Sequence, residues 1–257
     1  MASVLLTGGT GGLGSELPRR LVKAGHAVRI MSRRAAPGGA EWARADLLSG
    51  EGLEAAVRGI DAVLHCASSP RKQTWETDVG GTGRLLAACA AAATGHFFFV
   101  SIAGVDRIPL GYYKAKLAAE RAVEQSGVPS SILRATQFHS LIDTFLHMFV
   151  RLPVALLPTA WKFQPIDTGE VADRIVADLA RGPGGRLPDT GGPQVRTWGD
   201  LARSWLRARR KRALILPLPL PGKTAAGFRH GYNCTPEHAD GKITWEQWLE
   251  RRYGAGD

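Results

Sequence analysis

A phenol and an ammonium group four residues apart are the side chains in this sequence best suited to handling a proton. They are Tyr112 and Lys116, in the run Tyr112-Tyr113-Lys114-Ala115-Lys116. On a helix this spacing sets both on one face, so the positive charge can lower the phenol's pKa. Tyr113 lacks such a partner, because the residue four positions on is Leu117.

A second group with chemical promise is the loop Thr7-Gly8-Gly9-Thr10-Gly11-Gly12-Leu13-Gly14. It follows an apolar run at 3–7 and opens a helical stretch. Gly8 can make the tight turn, Gly11 lets the backbone approach a diphosphate, and Gly14 lets helix and strand pack closely. The opening of the helix offers amides and the positive end of its dipole to the phosphates. Where the next apolar run ends, the sequence reads Ser32-Arg33-Arg34. A site specific for NAD places a carboxylate there, whereas a guanidinium suits the 2′-phosphate of NADP. The expected cofactor is therefore NADP(H), with Arg33 on the phosphate and Arg34 beside the adenine.

These residues need a scaffold, and the order of elements supplies one. Strands are expected at 3–7 and 27–31, in a short separate run that ends at Asp46, and at 62–65, 97–101 and 130–134. Between them the pattern predicts helices at 12–24, from 51, and at 78–93 and 112–126. Strands this apolar belong in a parallel sheet covered on both faces, with ligands at the carboxyl ends. The fold class is thus α/β: a doubly wound parallel sheet over residues 1–137, and a smaller substrate-binding part over 138–257. In the second part, 138–158 reads as amphipathic or irregular and 164–167 as a short strand. Helices follow at 169–181, 198–210 and around Trp245 and Trp248, with a proline-broken run from Leu214 to Pro221. The segment 164–182 is expected to pack back on the first part. Pro18 falls inside the first expected helix, which must start late or bend there.

Thr-Gly-x-x-Gly-x-x-Gly in this setting resembles the short-chain dehydrogenase/reductase superfamily. The likeness is to its extended and atypical branches, including epimerase/dehydratase-like and NmrA-like proteins, and it covers essentially the whole chain. Asp46-Leu47 is similar to the pair that meets the adenine, and His65-Cys66-Ala67-Ser68 to the turn lining the cofactor riboses. Asp78-Val79-Gly80-Gly81-Thr82 resembles a helix start written Asn-Val-x-Gly-Thr. Arg134-Ala135-Thr136-Gln137 stands where the family has an Arg-Pro turn near the nicotinamide, with Ala135 replacing the proline. The resemblance implies a Rossmann fold and a cofactor site of Thr7, Gly8, Thr10, Gly11, Gly12, Leu13, Gly14, Ser32, Arg33, Arg34, Asp46, Leu47, Cys66, Ala67, Ser68, Tyr112, Lys116 and Thr136. It makes Tyr112 the general acid or base and Lys116 its tuning partner, which also binds the nicotinamide ribose. Ser101 is the candidate for the hydroxyl that orients the substrate oxygen, with Gln137 or His139 as alternatives. Gln137, Phe138 and His139 are the expected substrate contacts. Phe138, Ile142, Phe145, Phe149 and Trp161 favour an apolar or aromatic carbonyl compound.

Bulk properties narrow the remaining options. Three scattered cysteines show no metal-ligand spacing and fit a reducing cytosol, so no metal site is expected. No apolar run reaches the roughly 20 residues of a membrane span. The net charge of +10 includes the run Arg207-Ala208-Arg209-Arg210-Lys211-Arg212. It lacks interleaved aromatics for a nucleic acid and sits where a helix end favours cations. The expected activity is NADP(H)-dependent reduction of a carbonyl, or oxidation of an alcohol, by a monomer or homodimer. The alternatives are a non-catalytic NADP(H)-sensing regulator and a sugar-nucleotide epimerase or dehydratase.

Overall fold

In chain order the computed structural model contains β1 (Ser3–Thr7), α1 (Leu17–Lys23), β2 (Ala27–Ser32), β3 (Glu41–Arg44), α2 (Leu53–Val57), β4 (Ala62–His65), α3 (Thr82–Ala91), β5 (His96–Ile102), α4 (Gly111–Gln125) and β6 (Ser130–Ala135). There follow α5 (His139–Phe149), β7 (Val154–Leu157), β8 (Lys162–Phe163), α6 (Thr168–Ala180), β9 (Gly185–Arg186), β10 (Arg196–Thr197), α7 (Trp198–Ala208), β11 (Leu214–Pro217), α8 (Lys223–His230) and α9 (Trp245–Tyr253). Residues 1–34, 41–70 and 72–254 are described. They form two units: those within 1–101, 111–134 and 172–188 make the first, and those within 102–110, 135–171 and 189–254 the second.

The first unit is built on a seven-stranded sheet in the order β3-β2-β1-β4-β5-β6-β9. The pairings of β1 with β2 and β4, of β2 with β3, β4 with β5, and β6 with β9 are parallel. Residues 62–65 of β4 are all buried, as are Phe97, Phe98 and Phe99 of β5. Burial on both faces explains why these runs are continuously apolar rather than alternating. Leu85, Leu86, Ala119 and Val123 from α3 and α4 close one face over Leu5, Val63 and Phe97. Because β1 lies between β2 and β4, the chain leaves the sheet in opposite senses on its two sides. That switch point opens a crevice at the carboxyl ends of β1 and β4.

Two local expectations are corrected. The first helix does not span 12–24. It begins at Leu17, after a short 3-10 turn at Gly14–Glu16, so Pro18 sits in the first turn, where its missing N–H costs no helical bond. The helix expected at 78–93 is preceded by a wide π-helical stretch, Trp75–Gly81, which buries Asp78 before α3 proper starts.

In the second unit, α5 packs against α7 and β7, and α9 packs on α7. Trp205 is fully buried and donates through Nε1 to Asp143 at 2.7 Å, and the Tyr253 hydroxyl donates to the same carboxylate at 2.6 Å. Thr244 and Gln247 form a reciprocal capping box at the start of α9. No strand forms at 164–167. The pairing there is β8 with β10, and Ile166 makes an isolated bridge to Phe138. The run from Leu214 begins as β11, paired in parallel with β7. The prolines at 219 and 221 lie beyond that strand, where no ladder N–H is needed.

Candidate functional site

The glycine loop closes against the sheet through backbone contacts that admit no side chain. Gly8 has φ +72°, and a Cβ there would lie 2.6 Å from the Ala67 nitrogen. A Cβ on Gly14 would fall 2.0 Å from the Gly8 carbonyl oxygen. Only glycine allows β1, the loop and the turn after β4 to approach this closely. Thr10, Gly11 and Gly12 remain exposed at the rim, and a Cβ on Gly11 would meet nothing nearer than the Gly8 oxygen at 3.3 Å. Leu13 is buried beneath. An open, backbone-lined rim at a switch point is a cradle that a diphosphate fits.

Thr7 does not face that rim. Its side chain is buried and bonded to His65 Nδ1 at 2.6 Å, and it accepts from the Ala67 amide at 3.2 Å. Thr82 spends its proton on the Asp78 carbonyl and lies 3.0 Å from His65 Nε2. His65 must therefore donate from Nε2 and accept at Nδ1, as a neutral ring. Burial, helped by the nearby Lys116 charge, pushes its pKa from 6.5 to about 3. His139 in the second unit is pushed by burial to about 4. Unfolded, each ring binds a proton below its ordinary value; folded, each stays neutral until far lower pH. Stability should therefore fall as the pH drops from about 6.5, by roughly 2 kcal/mol per histidine between pH 7 and pH 5. Urea midpoints at the two pH values measure this, and an unchanged midpoint would count against it.

The turn after β4 meets the tyrosine helix. Ser68 Oγ lies 2.8 Å from the Tyr112 hydroxyl and donates to Asp78 Oδ1 at 2.5 Å, while the Ser69 amide donates to Asp78 Oδ2 at 2.8 Å. Since Ser68 gives its proton to the carboxylate, Tyr112 is the donor toward Ser68. Lys116 is buried, with Nζ 3.6 Å from Asp78 Oδ1, 3.3 Å from the Val100 carbonyl and over the Phe99 ring. Burial lowers the Lys116 pKa, while Asp78 opposes that effect. Burial also raises the Tyr112 phenol to about 12, with Asp78 adding to the rise and the Ser68 bond resisting it. The lowered phenol expected from the Tyr–Lys spacing is not what the structure has, because burial, with the Asp78 charge beside it, favours the protonated form. The phenol is thus a proton holder at neutral pH, and Asp78, which the sequence reading treated only as part of a helix start, sits at the centre of the cluster. A carboxylate where the resembling pattern has asparagine was the available signal.

Ser101 is buried, and its hydroxyl has no hydrogen-bond partner among the described residues. Burial pushes the fully buried Glu120 carboxyl up, and bonds from Arg134 and Arg186 outweigh it, holding it below its ordinary value. Arg134 grips Glu120 with two bonds, at 2.8 and 2.7 Å, and Arg186 adds a third at 2.9 Å. The structure therefore brings Ser68, not Ser101, to Tyr112.

At the other end of the crevice, Ser32 bonds to the Arg34 carbonyl and accepts from Trp42 Nε1 at 3.0 Å. Arg33 and Arg34 are exposed just beyond β2. Asp46 accepts the Leu48 amide at 2.9 Å and so shapes its own turn, and Leu47 is buried against Gly81. Burial raises the Cys66 thiol to about 12, which leaves it without thiolate chemistry.

Within the second unit, Thr136 donates to the Gln164 carbonyl at 2.5 Å, and Gln137 exchanges bonds with Asn233 at 3.1 and 3.3 Å. His139 donates from Nε2 to the Ile243 carbonyl at 3.1 Å and stacks on Trp245 and Trp248. Phe138 caps α5 and is half-buried. Thr136, Gln137 and His139 were expected at cofactor or substrate. The structure has Thr136, Gln137 and Nε2 of His139 bonded within this unit, where a buried polar group takes the partner at hand.

Comparison with known proteins agrees with the crevice. The profile of an NAD(P)H-binding family matches residues 8–143, just over half of the chain. The photosystem II assembly factor Ycf39 of Trieres chinensis is 28% identical over 203 residues, 73% of this chain and 61% of that protein. The 2-alkyl-3-oxoalkanoate reductase of Stenotrophomonas maltophilia is 31% identical over 150 residues, 49% of this chain and 45% of the reductase. The chain thus spans less than two thirds of the length of these relatives. The solved structure of an NADPH-dependent quinone oxidoreductase from Escherichia coli, complexed with NADPH, superposes with a TM-score of 0.81 at 18% identity. The superposition covers 97% of this chain and 99% of that one, and shows a shared fold.

Proposed function

Since the chain belongs to the NAD(P)H-binding family, we propose that it is an NADP(H)-dependent reductase of the short-chain dehydrogenase/reductase kind, acting on a small, apolar or aromatic carbonyl compound with Tyr112 as general acid. The observation that carries this reading is the Tyr112 hydroxyl 2.8 Å from Ser68, at the carboxyl ends of β1 and β4 and one helical turn from Lys116.

The exposed rim at Thr10–Gly12 would hold the diphosphate, Arg33 the 2′-phosphate, and the turn at Cys66–Ser68 with Lys116 the nicotinamide ribose. When bound, the reduced nicotinamide supplies the two electrons of the reduction as hydride. The protein's own residues do the rest. Tyr112, which keeps its proton at neutral pH, gives it to the carbonyl oxygen as negative charge builds there, and the product is the alcohol. Ser68, in the place expected for Ser101, would turn its one proton from Asp78 to that oxygen and so orient it. Lys116 sets a positive charge one turn away on the same helix, and Asp78 holds both Ser68 and Lys116 in position.

NADPH consumption across ketones, quinones and aldehydes tests the activity, and no substrate-dependent turnover across the panel would refute it. Cofactor preference has its own test. Arg33→Ala is expected to weaken NADPH binding by about ten- to a hundredfold, the worth of a charge-assisted phosphate bond, and to leave NADH affinity unchanged. Calorimetry with both nucleotides measures this, and an equal loss for the two would remove Arg33 from the 2′-phosphate.

A further inference from the structure

The positive charge of this chain is concentrated, and it is concentrated around exposed aliphatic side chains. Of 33 basic and 23 acidic residues, ten basic and no acidic ones fall in segments 144–166 and 201–236. The rest of the chain therefore holds 23 of each sign, and the whole net charge of +10 resides in these two stretches.

The same stretches contain β7 and β11, which pair in parallel with Leu214 opposite Val154 and Leu216 opposite Leu156. Alternation along β7 buries Ala155 and Leu157 and turns its other residues outward. Val154 is 49% exposed, Leu156 58%, Leu214 58% and Leu216 37%, and Leu152 just before the ribbon is 71% exposed. Parallel pairing sets the starts of both strands at one end. Arg151 precedes β7 there, and Arg210, Lys211 and Arg212 precede β11, all four exposed. Arg210 takes a left-handed conformation, φ +52°, that ends α7 and sends the basic run toward the ribbon.

We propose that this ribbon docks the protein on a bilayer surface bearing anionic lipid headgroups. The aliphatic face would enter the headgroup and acyl boundary while the long basic side chains at its end reach the lipid phosphates. The charge pattern selects this occupant. A second copy of the chain brings no carboxylate in these segments to meet the cations. A nucleic acid would satisfy the charge but has no use for a leucine and valine face, which offers nothing for bases to stack on.

Sedimentation with lipid vesicles tests the proposal on the full chain. The protein is expected to bind vesicles of phosphatidylcholine with roughly a third phosphatidylglycerol, to bind pure phosphatidylcholine far more weakly, and to be released by high salt. Each basic side chain near such a surface contributes about a fivefold gain in binding, so the triple variant Arg151→Gln, Lys211→Gln, Arg212→Gln should bind about a hundredfold more weakly. The pair Leu156→Ser, Leu214→Ser should lose at least about tenfold. Both variants replace exposed side chains, and unchanged thermal unfolding and nicotinamide-nucleotide affinity would show them folded. Equal binding to the two vesicle types, or wild-type binding by either variant, overturns the proposal. So does a dimer by light scattering that the leucine variant dissociates without any binding to lipid.

Discussion

Tyr112→Phe is expected to lower kcat by roughly 10²- to 10⁴-fold, the range over which a positioned proton donor acts, with NADPH affinity nearly unchanged. The substitution removes one oxygen from a half-buried ring and leaves the helix surface and the glycine loop intact. The hydroxyl it removes bonds to Ser68 at 2.8 Å, so the variant reads out that contact alone. Ser68→Ala should give a smaller loss, about ten- to a hundredfold, because Tyr112 can still donate while the oxygen it serves is held less well. Ser101→Ala should leave turnover close to wild type, since the Tyr112 hydroxyl is bonded to Ser68 and not to Ser101. Steady-state kinetics with nucleotide titrations separates these cases. A Tyr112→Phe enzyme that retains activity within a few-fold of wild type would remove the tyrosine from the chemistry, and a large Ser101→Ala defect would restore Ser101 to the site.

Glu120→Ala is expected to destabilise the first unit by about 3–5 kcal/mol, the cost of leaving a buried ion pair with one partner. The carboxylate is fully buried, and its principal partner Arg134 is mostly buried, so the guanidinium left behind cannot regain water. Arg186 is more exposed and should contribute little to the loss. A double variant, Glu120→Leu with Arg134→Met, should recover most of the stability, because the penalty lies in the unpaired charge. The pH dependence has a definite sign. The folded Glu120 pKa lies below its ordinary 4.5, so its contribution is present above that value and is lost as the pH falls through the folded one. Urea unfolding of the single and double variants near neutral pH measures the effect. A loss under about 1 kcal/mol in the single variant would mean the site relaxes to hydrate Arg134.

What could be read locally was read well. The strand at 3–7 and the strand at 62–65 coincide with the observed ones, because runs such as Val4-Leu5-Leu6 and Val63-Leu64 can be satisfied only inside a sheet covered on both faces. The glycine loop was legible for a similar reason: Gly8 and Gly14 are demanded by backbone geometry within a few residues of themselves. Pro18 gave a true warning about the helix start, but which remedy the chain adopts depends on where Leu17 is buried.

Choices among distant partners were not legible. Two serines, Ser68 and Ser101, were both available to Tyr112. The decision rests on packing, which sets the turn after β4 against α4 and so brings Ser68 to Tyr112. The same holds for Lys116, whose charge is claimed by Asp78 across 38 residues of chain, and for β7 and β11, which pair across about 60. The sequence by itself determined the alternation of strands and helices, the dinucleotide loop and the helix face shared by Tyr112 and Lys116, all properties of spacing over a few residues. Tertiary structure alone decided which hydroxyl, carboxylate and guanidinium meet, because a buried polar group takes the partner that the packing brings within reach, and neighbours in sequence have no privilege there.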